Sequence, residues 1–149
     1  VPLSDDAFSA RLHIFSREVS EGFFAERVIL VEGVSDKAIL EAVYTACDRD
    51  CFKDGIAIIQ VDGKSKLDRP YLVFTKLGIP TYIVFDNDKK EKDKEEENQK
   101  HIRANRLLQK LIGVTDPVDW PEGVEKHMAV FDGNLNVYLR KYMADEYDK

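Results

Sequence analysis

The spacing of apolar positions changes several times along the chain, and each change marks a new element. Between residues 5 and 25, Phe8, Leu12, Phe15, Val19 and Phe23 recur every three or four positions, the stripe of an amphipathic helix. Gly22, Phe23 and Phe24 lead into Arg27-Val28-Ile29-Leu30-Val31, a β-branched and nearly all-apolar run. A short run without polar alternation suits a strand covered on both faces, as in parallel sheets. Gly33 closes that strand and Ser35 is placed to N-cap a helix whose apolar face is Ala38, Ile39, Ala42, Val43 and Ala46.

The alternation then repeats. Gly55 precedes a second strand, Ile56 to Val61, and in the following Asp62-Gly63-Lys64-Ser65 the glycine makes a turn and Ser65 is placed to cap a helix. That helix carries Leu67, Tyr71, Leu72, Phe74 and Leu77, with Gly78 at its C-terminal cap. Pro80 opens a third strand, Thr81 to Phe85, running directly into Asp86-Asn87-Asp88. A helix with Ile102, Leu107, Leu108, Leu111 and Ile112 ends at Gly113, and a loop with Pro117, Trp120 and Pro121 leads to a fourth strand, Met128 to Phe131, and a closing helix, Leu135 to Tyr142. Strands alternating with helices over short connections predict right-handed βαβ units. The expected fold is therefore α/β and Rossmann-like: a central, mostly parallel four-stranded sheet, helices on both faces, and an N-terminal helix. No internal repeat is visible. Lys89 to Lys100 sets five lysines against five carboxylates, the composition of a solvated loop or helix face, with room for a flap beside a site.

Composition narrows the function. A chain of 149 residues fits one domain with a substantial core, and its net charge of -6 argues against a dedicated basic nucleic-acid binder. An enzyme that reaches phosphates through bound cations needs no basic surface, because the metal supplies the positive charge. No apolar run is long enough to span a bilayer and no signal peptide is recognisable, so a cytoplasmic protein without membrane contact is expected. Cys47 and Cys51 are too few for a disulfide framework, and His13, His101 and His127 lack the spacing of zinc ligands.

Candidate chemistry lies at the strand ends. In an open parallel sheet all strands deliver their C-terminal ends to one edge, where ligands bind. Glu32 ends the first strand, Asp62 follows the second, Asp86 and Asp88 follow the third, and Asp132 follows the fourth. Gathering carboxylates is unfavourable unless a cation neutralises them, and hard cations such as Mg²⁺ prefer oxygen ligands. Asp36, four residues after Glu32, falls on the first turn of the next helix and can reach the same ion. Gly63-Lys64-Ser65 imitates the end of a phosphate-binding P-loop, but Ile58 stands where that motif needs a glycine. Lys64 remains a candidate contact to a substrate phosphate. Asp86-Asn87-Asp88 departs from the aspartyl-phosphate phosphatase pattern at Lys90, and neither a Gly-x-Ser-x-Gly elbow nor a cysteine with a recognisable histidine partner supports covalent catalysis.

Val28-Ile29-Leu30-Val31-Glu32-Gly33-Val34-Ser35-Asp36 and Tyr82-Ile83-Val84-Phe85-Asp86-Asn87-Asp88 resemble the two signature motifs of Toprim domains. Gly22 to Arg27, Gly63-Lys64, Leu77-Gly78-Ile79-Pro80 and Asn105-Arg106-Leu107-Leu108 make the chain most similar to the OLD (overcoming lysogenization defect) family of ATP-dependent endonucleases. The resemblance implies that Glu32, Asp36, Asp86 and Asp88 ligand one or two Mg²⁺ or Mn²⁺ ions for cleavage of DNA phosphodiesters, with Glu32, Asp86 and Asp88 as the catalytic set. It also implies a parent protein with an N-terminal ATPase domain, the only place where ATP would be handled, and a homo-oligomer at full length. On that view residues 1–26 are an N-terminal helix and lead-in, and 27–149 the Toprim domain. The chain departs from the family where a further acid is expected, since Asn136 occupies that position; Asp132 is the candidate substitute. A family lysine beyond this segment has no match, Lys141 being too close. The alternatives are a Toprim domain of topoisomerase or primase type, and a non-catalytic module that binds metal or nucleic acid within an assembly.

Overall fold

The computed structural model describes residues 17–90, 94–133 and 135–142. Within them the apolar runs become strands β1 (Arg27–Val31), β2 (Ile56–Gln60), β3 (Thr81–Asp86), β4 (Gly123–Val124) and β5 (Met128–Phe131). They form one sheet in the order β2-β1-β3-β5-β4. β1 pairs in parallel with β2 and β3, β3 pairs in parallel with β5, and β4 runs antiparallel to β5. The sheet thus has five strands where four were expected. The additional one is two residues long, too short to carry any alternation of apolar and polar positions, and it borders the proline-rich loop.

Helices α1 (Arg17–Glu21), α2 (Val34–Ala46), α3 (Asp68–Lys76), α4 (Glu95–Leu111) and α5 (Leu135–Tyr142) follow the predicted order. The expected first helix is seen from Arg17; Phe8, Leu12 and Phe15 lie outside the described residues. Among the described residues no helix is long and apolar enough to cross a membrane. Two caps differ from expectation. Gly33, not Ser35, is the N-cap of α2, and Asp36 at the third helical position accepts the Gly33 N–H at 3.1 Å. Ser65 lies inside a 3₁₀ turn (Lys64–Lys66), and α3 starts from Leu67 without a side-chain cap. Pro70, in the first turn of α3, lacks the N–H that would otherwise need a partner there.

Each of the four parallel strands buries both faces, as its composition required. On one face Val28, Leu30, Ile59, Ile83, Phe85 and Val130 pack with Val19 of α1, Tyr71 and Phe74 of α3 and Leu108 of α4. On the other, Val31, Ile58, Val84, Ala129 and Phe131 meet Leu135 of α5, with Ile39 and Leu40 of α2 against them. Gly22 sits where the lead-in crosses the first face: a Cβ there would collide with the Phe74 ring and lie 2.7 Å from Ile59 Cδ1. The four parallel strands β2, β1, β3 and β5 therefore end at one edge, with β1 and β3 adjacent at its centre.

Candidate metal centre

The register brings two carboxylates together first. Val31 of β1 faces Val84 of β3, so the next residues of each strand share the sheet edge. Glu32 follows β1, and its Oε1 accepts the backbone N–H of Asp86, the last residue of β3, at 2.9 Å. Asp36 approaches from the first turn of α2, held by its bond to Gly33.

Beyond Asp86 the chain turns. Asn87 is almost fully buried, donates its N–H to the Phe131 carbonyl at 2.9 Å and accepts the Lys89 N–H at 3.1 Å. Asp88 takes a left-handed backbone, φ 58°, which aspartate tolerates better than most residues. Its Oδ2 lies 2.7 Å from Lys64 Nζ and 3.4 Å from His101 Nδ1. The sequence left Lys64 as a candidate phosphate contact. In the structure its side chain is buried, with the ammonium turned inward to Asp88, 3.1 Å from Asn105 Oδ1 and over the Phe85 ring at 5.7 Å.

The acids perturb one another. Burial, then the charges of Glu32, Asp36 and Asp88, push the Asp86 carboxyl up to about 7, with Lys64 opposing. Burial also raises Glu32, against the hydrogen bond from Asp86 and the charge of Lys64. Asp36 is raised by burial, against its bond from Gly33. Asp62 and Asp132 are exposed and stand apart from the central pair. The strand order explains it: β2 and β5 flank the central pair, so their acids stand to either side. Asn136 is exposed on the first turn of α5, and the Lys141 side chain lies outside the described residues.

Among the described residues no three Asp, Glu, His or Cys side chains already stand as a coordination group. Glu32, Asp36 and Asp88 each spend a carboxylate oxygen on the bonds above. The donor chemistry nevertheless fits a hard divalent cation: oxygen ligands only, and a central carboxyl driven toward protonation by like charge.

Sequence reasoning gave Asn105 no role of its own. It is fully buried on α4 and donates to the carbonyls of Asn87 and Asp119 at 3.0 Å each. The signal was present, because position 105 falls on the apolar stripe of Ile102 and Leu108, where an amide has to be satisfied internally.

Residues 23–88, which carry all four acids and Lys64, match the model of the family described as overcoming lysogenization defect protein-like, TOPRIM domain. Over those residues the chain is similar to OLD-like Toprim domains. Over 125 residues it is 28% identical to endonuclease GajA of Bacillus cereus (strain VD045), an alignment covering 81% of this chain and 21% of that protein. The chain thus spans about a fifth of the length of the curated relative it matches. The C-terminal region of the Xanthomonas campestris pv. campestris OLD protein has the same fold, with a TM-score of 0.51 at 21% identity over 79% of this chain and 57% of that one.

Proposed function

We propose that this chain is an OLD-like Toprim domain and the nuclease part of a longer protein, hydrolysing DNA phosphodiesters with one or two Mg²⁺ or Mn²⁺ ions. The observation that carries the reading is Asp86, pushed up to about 7 at the sheet edge by burial and by Glu32, Asp36 and Asp88. Such a cluster is stabilised most by a bound divalent cation. Glu32, Asp36 and Asp86 would hold a first ion, and Asp88 would serve a second where two bind. When bound, the metal supplies Lewis-acid polarisation of the phosphodiester and offsets the charge the acids present to DNA. Glu32 has a further role to play: one oxygen is fixed by the Asp86 N–H, and its raised pKa suits it to move a proton between water and the leaving oxygen. The Bacillus relative is an endonuclease, which supports this assignment.

On this reading residues 27–149 are the Toprim unit and 1–26 the lead-in from an N-terminal ATPase domain, which handles ATP. The full-length protein is a cytoplasmic homo-oligomer with DNA as its substrate. A non-catalytic, metal-binding module is the second reading; Asn136 favours it, since an amide binds a hard cation more weakly than the acid expected there.

Supercoiled DNA incubated with the chain, or with its parent, and Mg²⁺ or Mn²⁺ tests the proposal. Nicking that is lost in Glu32→Gln and Asp86→Asn is expected. Relaxation without nicks would indicate topoisomerase-type chemistry. No cleavage by either form, despite measurable cation binding, would favour the non-catalytic module.

A further inference from the structure

Lys64 is the one lysine among the described residues that is buried. Gly63, at φ 120°, turns the chain out of β2, and its N–H is fixed to the Glu32 carbonyl at 2.8 Å. Lys64 is thereby aimed under the end of β3. Its ammonium has three electron-rich neighbours: Asp88 Oδ2 at 2.7 Å, Asn105 Oδ1 at 3.1 Å and the face of Phe85. The orientation of Asn105 is not arbitrary. Its Nδ2 is required by two carbonyls, Asn87 and Asp119, so only the oxygen is left to face Lys64. An amide locked in this way accepts a cation and cannot donate to a substrate oxygen. The seat is therefore built for a positive charge beside the carboxylate cluster, and that charge is close enough to oppose the raised pKa of both Glu32 and Asp86.

We propose that Lys64 is a positioning residue that acts as the resident cation of the cluster. It neutralises Asp88, which a second divalent ion would otherwise draw upon, so that the site takes one ion through Glu32, Asp36 and Asp86. The inference rests on the reading of the cluster as a divalent-cation site. It explains how a chain with Asn136 in place of an acid can still balance its charge: fewer carboxylates and one fixed ammonium need one mobile ion fewer.

Calorimetric titration of MnCl₂ into the 149-residue chain separates this role from a merely structural ion pair. The wild type should bind one ion. Lys64→Gln should bind two and hold the first on the order of ten-fold more tightly, because a unit positive charge has left a partly desolvated site. Lys64→Arg should keep the wild-type stoichiometry. Since Lys64→Gln leaves Asp88 without its partner, the double variant Lys64→Gln with Asp88→Asn serves if the single one does not fold. It removes the pair as a neutral unit and should bind one ion within about three-fold of wild type. A wild type that binds two ions, a folded Lys64→Gln that binds one ion no more tightly, or a double variant that loses the first ion would each overturn the inference while leaving the metal site standing. No ion bound by wild type or by folded Lys64→Gln would remove both.

Discussion

Asp86→Asn isolates the repulsion that defines the site. In the metal-free chain the Asp86 carboxyl has a pKa of about 7, against about 4 when unfolded. The folded state therefore prefers the protonated form. The associated stability is fully present below pH 4 and is lost as the pH rises through 7, a difference of up to about 4 kcal/mol. Asp86 is only half-buried, and solvent screening reduces the working figure to about 2 kcal/mol. Asparagine occupies the same volume and cannot ionise, and the Glu32 bond to the residue 86 main chain survives the exchange. With EDTA present, Asp86→Asn should be more stable than wild type at pH 8 by about 2 kcal/mol, a shift of about 1 M in the urea midpoint, and the gap should close toward pH 4. Trp120 provides a fluorescence signal for the titration. Millimolar Mg²⁺ at pH 8 should then stabilise wild type and leave the variant unchanged. A variant less stable than wild type at pH 8, or a gap that ignores pH, would mean that the fold accommodates Asp86 as an anion and that the repulsion does not exist.

Two further substitutions probe the supports of the site. Asn105→Leu should cost about 3 kcal/mol in urea unfolding, since it strands two carbonyls in the interior and takes one acceptor from the Lys64 ammonium; a loss below about 1 kcal/mol would show that water replaces the amide. Gly22→Ala should destabilise by about 2 kcal/mol through the clash with Phe74 and Ile59, read as a lowered thermal midpoint, and unchanged melting would place the lead-in farther from the sheet.

The strand–helix alternation was legible because each strand is a short, unbroken apolar run and each helix carries its own stripe. β4 was not, since two residues display no period. The serine caps misled because residue type alone does not fix a helix start: Asp36 reaches back to Gly33, and the turn at Lys64–Lys66 takes the place of a cap at Ser65. For the site, strand ends could be read but strand order could not. With β1 and β3 adjacent, Glu32 and Asp86 meet, while Asp62 and Asp132 stand to either side. Lys64 was the least legible. A Gly-Lys pair after a strand resembles a phosphate loop, and what turns it inward is Asn105, 41 residues downstream, together with the left-handed turn at Asp88.

The bond from the Asp86 N–H to Glu32 gives the site a spectroscopic handle. Glu32 is joined through it to one particular main-chain proton, whose chemical shift follows the charge on that carboxylate. The Asp86 amide resonance thus reports directly on whether Glu32 is protonated, ionised or engaged by a cation, without a label on any side chain and without turnover.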